Sequence, residues 1–278
     1  MPPWNGLIAR IRPKAYARRE ALVLLNGLAE QAESWYRNRR FWGRYFDIYM
    51  PNILTYDGPA LQKQAKTPGG ITLDYLVGEL HTYVTRFVQV PRVHIVASSL
   101  GGKIAVEFAA RHPDLVNRLV LLCPSGMGDD EHLPVIEGVV KNDWVGVVKS
   151  VFYRPRFVDR DIVKYYKTAI GNRRWKAGMI RTVNGTKDAS VRDRLPLVTA
   201  ATLLVTGQQD QICCPTTAAA AAKDLPNGHF LALPKCGHAP QIEKSRKVNR
   251  LVIHFLTAEN PTPKPGWLLP AAKTLKPT

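Results

Sequence analysis

Short apolar runs alternate with amphipathic stretches along most of the chain, and this alternation predicts the elements in order. "EALVLLNG" is an unbroken run of aliphatic residues closed by a turn, the pattern of a strand buried on both faces. "AESWYRNRRFWGRYF" reads as a helix and "FDIYMP" as the strand after it. In "ITLDYLVGELHTYVTRFV" the residues Leu73, Leu76, Val77, Leu80, Val84 and Phe87 recur at intervals that place them on one helical face. A strand "RVHIVA", a helix starting near Leu100 and a strand "RLVLLCP" follow.

From Ser125 to about Leu195 the rhythm changes. "PVIEGVVKNDWVGVVKSVFY" and "RDIVKYYKTAIGNRRWKAGMI" are helical in pattern, with no strand between them. Strand-like patterning resumes with "ATLLVTGQQD", an Ala-rich helix after Pro215, the strand "HFLALP" and a closing helix "PQIEKSRKVNRLVIHFL". The expected architecture is α/β, with a mainly parallel central sheet flanked by helices. Its parts are a first core segment (1–124), a helical insertion (125–195), a second core segment (196–258) and an irregular Pro- and Lys-rich tail (259–278). No internal repeat is visible.

Composition changes this picture little. Hydrophobic residues make up 45% and charged residues 22%, ordinary values for a globular protein. No apolar run approaches the roughly 20 residues of a membrane span. The N-terminal stretch lacks the features of a secretory signal, so a cytoplasmic location is expected. Cys123, Cys213, Cys214 and Cys236 have neither disulfide-scaffold nor zinc spacing. Reduced thiols are expected, although Cys213 or Cys214 could oxidise with Cys236 if their loops meet.

The net charge of +17 does need a reading. Such a field attracts polyanions without specificity. The basic residues are nevertheless spread over "RIRPKAYARR", "RNRR", "YRPRFVDRD", "NRRWK" and the tail, with no recognition helix or RNA-binding aromatic signature. A solvated basic surface is expected, with no specific nucleic-acid partner and no membrane span.

The chemistry concentrates at "VHIVASSLGGKIAVEFAARHP", where an apolar strand meets two serines and two glycines and becomes a helix. "Ala97-Ser98-Ser99-Leu100-Gly101" has the small-x-Ser-x-Gly form of a nucleophile elbow centred on Ser99. Residues two before and two after the centre must be small, because the turn crowds them. Ala97 and Gly101 meet that condition for Ser99, whereas Val96 and Leu100 would not for Ser98. The helix N-terminus favours a neighbouring oxyanion, which makes the Leu100 amide a natural donor.

Two later loops add partners for the serine. "LLVTGQQDQI" carries Asp210 just beyond a strand, and "LPKCGHAPQIE" places His238 ahead of the closing helix. With these in the order Ser99, Asp210, His238, the chain resembles the α/β-hydrolase superfamily from about Arg19 to Leu256, especially members with a helical cap. The resemblance implies a Ser99–His238–Asp210 triad and makes the insertion a cap. Asp129 and Asp130 are rival acids, because some relatives carry theirs after the earlier strand. Asp210 also has a plain reading as a turn residue. His94 and His229 fall inside strands and His112 at a helix end, while Glu243 fits the ending "GH-x-P-x-x-E" in a structural role.

The chain also departs from the family pattern. Relatives commonly carry His-Gly where this chain has Asn26-Gly27, and the asparagine could hydrogen-bond in the histidine's place. The resemblance then implies Leu28 as the second oxyanion donor, with Ala29 the alternative. The expected function is a serine hydrolase cleaving carboxylic esters through an acyl-enzyme, with a small-molecule carbonyl substrate and no metal or organic cofactor. One alternative is a carbon–carbon bond hydrolase acting on ring-fission products, since "CPSGMGD" resembles their segment. A binding or scaffold module on the same fold is the non-enzyme alternative. Trp144, Phe152, Tyr153, Tyr165, Tyr166 and Trp175 lie in the insertion, and packing of the insertion onto the core is their expected role.

Overall fold

The structure is a computed structural model that describes residues 19–30, 32–128, 138, 141, 143–157 and 160–259. Its centre is a six-stranded sheet of β1 (Ala21–Leu25), β2 (Asp47–Tyr49), β3 (Val93–Ser98), β4 (Val116–Leu122), β5 (Ala201–Gly207) and β6 (Gly228–Leu233). The spatial order is β2-β1-β3-β4-β5-β6, and every pairing is parallel. Alternate residues serve opposite faces. Val23, Leu25, Ile95, Ala97, Leu119 and Leu121 join one buried cluster. Leu22, Leu24, Val96, Val120, Leu122 and Val205 join the other. Covering both faces with helices is what lets these strands be apolar throughout.

The described α-helices are α1 (Arg39–Trp42), α2 (Pro59–Gln64), α3 (Leu73–Tyr83), α4 (Leu100–Arg111), α5 (Trp144–Val151), α6 (Arg160–Gly171), α7 (Arg173–Thr186), α8 (Pro215–Ala221), α9 (Pro240–Glu243) and α10 (Ser245–Thr257). No described helix is long and apolar enough to cross a membrane. Between β4 and β5 the described elements are helical, namely α5, α6, α7 and short 3-10 turns.

Three expected helices differ from the structure. The stretch after β1 is not one helix but a 3-10 turn (Ala32–Trp35) followed by α1. The buried Asn38 interrupts it, donating from Nδ2 to the Gln241 carbonyl at 3.1 Å and to Asn249 Oδ1 at 2.7 Å. The closing helix is likewise divided into α9 and α10 at Lys244, whose φ is −121°. The third difference follows α3, where residues Val84–Val88 form a wider π-type turn. The extra residue per turn shifts the apolar phase. Val88 is therefore buried and Phe87, expected on the core face, is 68% exposed.

The chain runs from β1 to β2 on one side and then crosses back to β3 on the other side of β1, so the direction of winding reverses there. In a doubly wound sheet the crevice at that reversal, beyond the carboxyl ends of the strands, is where ligands bind. The loops after β1 and β3 lie there. They carry residues 26–30 and Ser99.

Candidate active site

Ser99 sits between β3 and α4 with φ 50° and ψ −120°, a left-handed conformation for a residue with a side chain. Such a backbone costs on the order of 1–3 kcal/mol and persists only where neighbours enforce it. Here the Ser99 amide donates to the Leu122 carbonyl at 3.1 Å, tying the turn to β4. The Ser99 carbonyl accepts from the amides of Gly102 at 2.8 Å, Ser125 at 3.1 Å and Lys103 at 3.2 Å. A Cβ on Gly101 would lie 2.6 Å from the Asn26 carbonyl oxygen and 2.7 Å from that of Leu25. The small residue two after the serine thus lets α4 pass against the end of β1. Ser98 instead completes the strand, its hydroxyl facing the Gln241 side chain at 3.4 Å.

Asp210 and His238 come together beyond the ends of β5 and β6. The His238 Nδ1 lies 2.9 Å from Asp210 Oδ2 and 3.1 Å from Oδ1. Both side chains are buried. Asp210 Oδ1 also accepts the amides of Ile212 at 2.9 Å and Cys213 at 3.1 Å, so the residue shapes its own turn while holding the imidazole. Burial alone would raise the Asp210 pKa. The His238 charge, the bond to His238 and the two amides outweigh it and hold the carboxyl below its ordinary value.

Cys123, after β4, is a third neighbour. Its sulfur lies within 4.8 Å of the facing Asp210 and His238 atoms. Burial, reinforced by Asp210, pushes the thiol well above its usual pKa, so it remains protonated rather than becoming a thiolate. None of the four cysteines forms a disulfide.

The loop after β1 arches over Ser99. A Cβ on Gly27 would fall 2.9 Å from the Ser99 Cβ, which measures how closely the loop approaches. Asn26 Nδ2 donates to the Glu30 carbonyl at 2.9 Å, and the Gly27 amide donates to Glu30 Oε2 at 3.1 Å. The Ala29 amide donates to the Tyr56 hydroxyl at 2.9 Å. Ala29 is thereby engaged, while the amides of Leu28 and Leu100 have no protein partner among the described residues. Burial raises the Glu30 pKa, opposed by the Gly27 amide, by His238 and by Ser34.

The helical segment closes over these loops. The His238 amide donates to the Val151 carbonyl at the end of α5, at 2.9 Å. Glu243 Oε1 accepts from the amides of Gly237 at 2.7 Å and Tyr153 at 3.3 Å, and its Oε2 accepts from Arg154 at 3.3 Å. This single carboxylate joins the histidine loop to the segment after α5. Beneath lies a cavity of about 450 Å³ whose lining includes Ala29, Glu30, Val151, Phe152, Tyr166 and Ala239. Ala29 and Ala239 adjoin Leu28 and His238 in the chain, so the cavity opens beside the site. A second cavity of about 340 Å³, bounded by Tyr75, Glu79, Tyr83 and Phe87, lies away from it.

The structure thus pairs Asp210 with His238 and sets Ser99 at the strained turn two strands away. Asp129 and Asp130 lie outside the described residues, as do the tail beyond 259 and the Trp144 side chain. Phe152, Tyr165 and Tyr166 line the cavity, whereas Trp175 packs edge-on against Tyr56 at 5.2 Å. Nothing in the sequence marks Glu30 or Tyr56, or the placing of the Cys123 thiol, as part of the site. Only the close approach of separate loops brings them to the site, and no local spacing signals it.

A profile of the Alpha/beta hydrolase family matches residues 22–251. The chain is 25% identical over 250 residues to a putative carbamate hydrolase of Yersinia enterocolitica, covering 85% of this chain and 87% of the relative. Among solved structures, Bacillus subtilis carboxylesterase CesB superposes with a TM-score of 0.74 at 20% identity, over 88% of this chain and 85% of that one. A 2-hydroxy-6-oxo-6-phenylhexa-2,4-dienoate hydrolase from Rhodococcus gives the same TM-score of 0.74 at 20% identity, over 86% of this chain and 91% of its own. With the sheet order and the family profile in agreement over most of its length, the chain belongs to the alpha/beta hydrolase family.

Proposed function

We propose that the protein is a serine hydrolase that cleaves carboxylic esters, with Ser99 as nucleophile, His238 as general base and acid, and Asp210 as the group that orients the histidine. The observation that carries this reading is Ser99 at φ 50° on the N-terminus of a helix, on the sheet edge that bears the buried Asp210–His238 pair. Asp210 on Nδ1 fixes the tautomer that leaves Nε2 as the basic nitrogen. Ser99 Oγ attacks the carbonyl carbon as its proton passes to His238, and the carbonyl oxygen becomes an oxyanion. The amides of Leu28 and Leu100 receive that oxyanion, each contributing about 3 kcal/mol. Collapse breaks the ester C–O bond, and His238 returns the proton to the departing alcohol. Water, deprotonated by His238, then attacks the acyl-enzyme and releases the acid and free Ser99.

The helical segment serves as a cap in this reading, with Glu243 and the Val151 carbonyl fastening it to the histidine loop. The relatives include proteins named as lipase, carbamate hydrolase and dienoate hydrolase, and ester cleavage is the reaction this constellation performs with the fewest additional groups. A fluorophosphonate should add its mass to the peptide containing Ser99, and Ser99→Ala should lower p-nitrophenyl butyrate turnover by about 10⁴ or more. Labelling of Ser98, or an active Ser99→Ala protein, would remove the nucleophile assignment. Fast turnover of a ring-fission dienoate with negligible ester activity would replace ester by carbon–carbon cleavage.

A further inference from the structure

The cavity beside the site carries a charge pattern opposite to that of the whole protein. The chain has 39 Lys and Arg against 22 Asp and Glu. Among the described residues that line the cavity, the acidic ones are Glu30, Glu33 and Asp161, and there is no Lys, Arg or His. Phe152, Tyr165 and Tyr166 supply aromatic surface, while the Tyr36 ring is already covered by the Arg37 guanidinium at 5.2 Å. Tyr166 is nine-tenths buried, and beside it the buried hydroxyl of Tyr165 has no hydrogen-bond partner among the described residues. A buried hydroxyl without a partner, on a wall with carboxylates, marks space shaped for something other than an alkyl chain.

Resting on the ester-hydrolase reading, we infer that this cavity receives a positively charged part of the ester, an amine or quaternary ammonium, and disfavours a carboxylate there. Carboxylates attract the cation, and aromatic faces add attraction through their quadrupoles. Both act more strongly in an enclosed space than at an open surface. A quaternary ammonium is weakly hydrated and loses little on entry, whereas a carboxylate would meet three acidic side chains and, among the described lining residues, no basic one. The same pattern bears on carbon–carbon cleavage, because a ring-fission dienoate carries a carboxylate that the described lining offers no cation to bind. The acidic cavity would then select substrate independently of the chain's net positive charge.

Matched esters test the inference. Butyrylcholine is compared with 3,3-dimethylbutyl butyrate, its neutral isostere, and with a carboxyalkyl butyrate of similar length. A second set places the trimethylammonium, tert-butyl or carboxylate group on the acyl side. In at least one set the cationic ester should show kcat/KM about tenfold above the neutral one, with the anionic ester lowest. The preference should fall below about threefold in a Glu33→Gln/Asp161→Asn protein and shrink as sodium chloride rises. In parallel, calorimetry measures tetramethylammonium binding to the wild type and to Glu30→Gln, which should bind it more weakly. Equal rates for cationic and neutral esters in both sets, or a preference unmoved by the charge-removing substitutions, would overturn the inference and leave the ester reading intact. If no ester is turned over, the ester reading falls, and tetramethylammonium binding alone decides whether the cavity takes cations.

Discussion

Asp210→Asn separates the orienting role of this carboxylate from its structural one, because the hydrogen-bond partners dictate how the amide must sit. Asp210 Oδ1 accepts two backbone amides, from Ile212 at 2.9 Å and Cys213 at 3.1 Å. Those donors require an oxygen, so the asparagine NH₂ must take the Oδ2 position, 2.9 Å from His238 Nδ1. It then donates to Nδ1, which becomes the unprotonated nitrogen, and the ring proton moves to Nε2. A histidine in that tautomer cannot accept a proton from Ser99. The expected loss in kcat is about 10⁴, or roughly 5.5 kcal/mol at 1.36 kcal/mol per decade. Every hydrogen bond keeps a donor and an acceptor, so stability at neutral pH should change by only about 1 kcal/mol.

The pH dependence provides a second readout. The folded pKa of Asp210 lies below its unfolded value near 3.8. Its stabilisation is therefore present above that value and disappears as pH falls through the folded pKa. The stabilities of wild type and Asp210→Asn should converge only in strong acid. Turnover of p-nitrophenyl butyrate and urea unfolding of both proteins measure the two effects. An asparagine variant within tenfold of wild-type kcat would refute the tautomer argument, and Asp129 and Asp130 would then become the acids to test.

Gly101→Ala should be harmful even though alanine favours helices, because its Cβ would sit 2.6 Å from the Asn26 carbonyl oxygen. A cost of about 1–3 kcal/mol, or roughly 3–10 °C in Tm, should accompany slower phosphonate labelling as the loop holding Leu28 is displaced. Wild-type melting and labelling would contradict the close approach. His94 is buried with Nδ1 unpartnered, and burial lowers its pKa from 6.5 despite the opposing pull of Glu20 at 3.3 Å. Its contribution is present above 6.5 and is lost as pH falls toward the lower folded value. Urea unfolding should therefore show wild type losing more stability than His94→Gln between pH 7.5 and about 5, with His112 and His229 retaining a smaller slope. Equal losses would show that His94 is not what couples the fold to pH.

The order of elements was legible because each strand is a continuous aliphatic run buried on both faces, and a run such as "ALVLL" admits little else. The turn around Ser99 was legible for a related reason: its crowding restricts Ala97 and Gly101 to small residues, and that restriction shows in five adjacent letters. Asp210 and His238 could be singled out by their places just beyond late strands, although the bond between them joins residues 28 apart and exists only in the folded sheet. Local periodicity misjudged Phe87, because a π turn is set by how the end of α3 meets the core and leaves no mark in hydropathy. It also missed the break at Asn38, whose cause is Asn249, 211 residues away. The cavity's character was the least legible feature. Glu30, Glu33, Asp161 and the tyrosines are unremarkable letters in a chain of net charge +17, and they become one acidic, aromatic wall only when the loop after β1 packs against α5 and α6. Sequence determines what each segment must bury, since burial is a property of neighbours a few residues apart. Which distant side chains then share a cavity depends on loop packing, and that is decided by the tertiary structure.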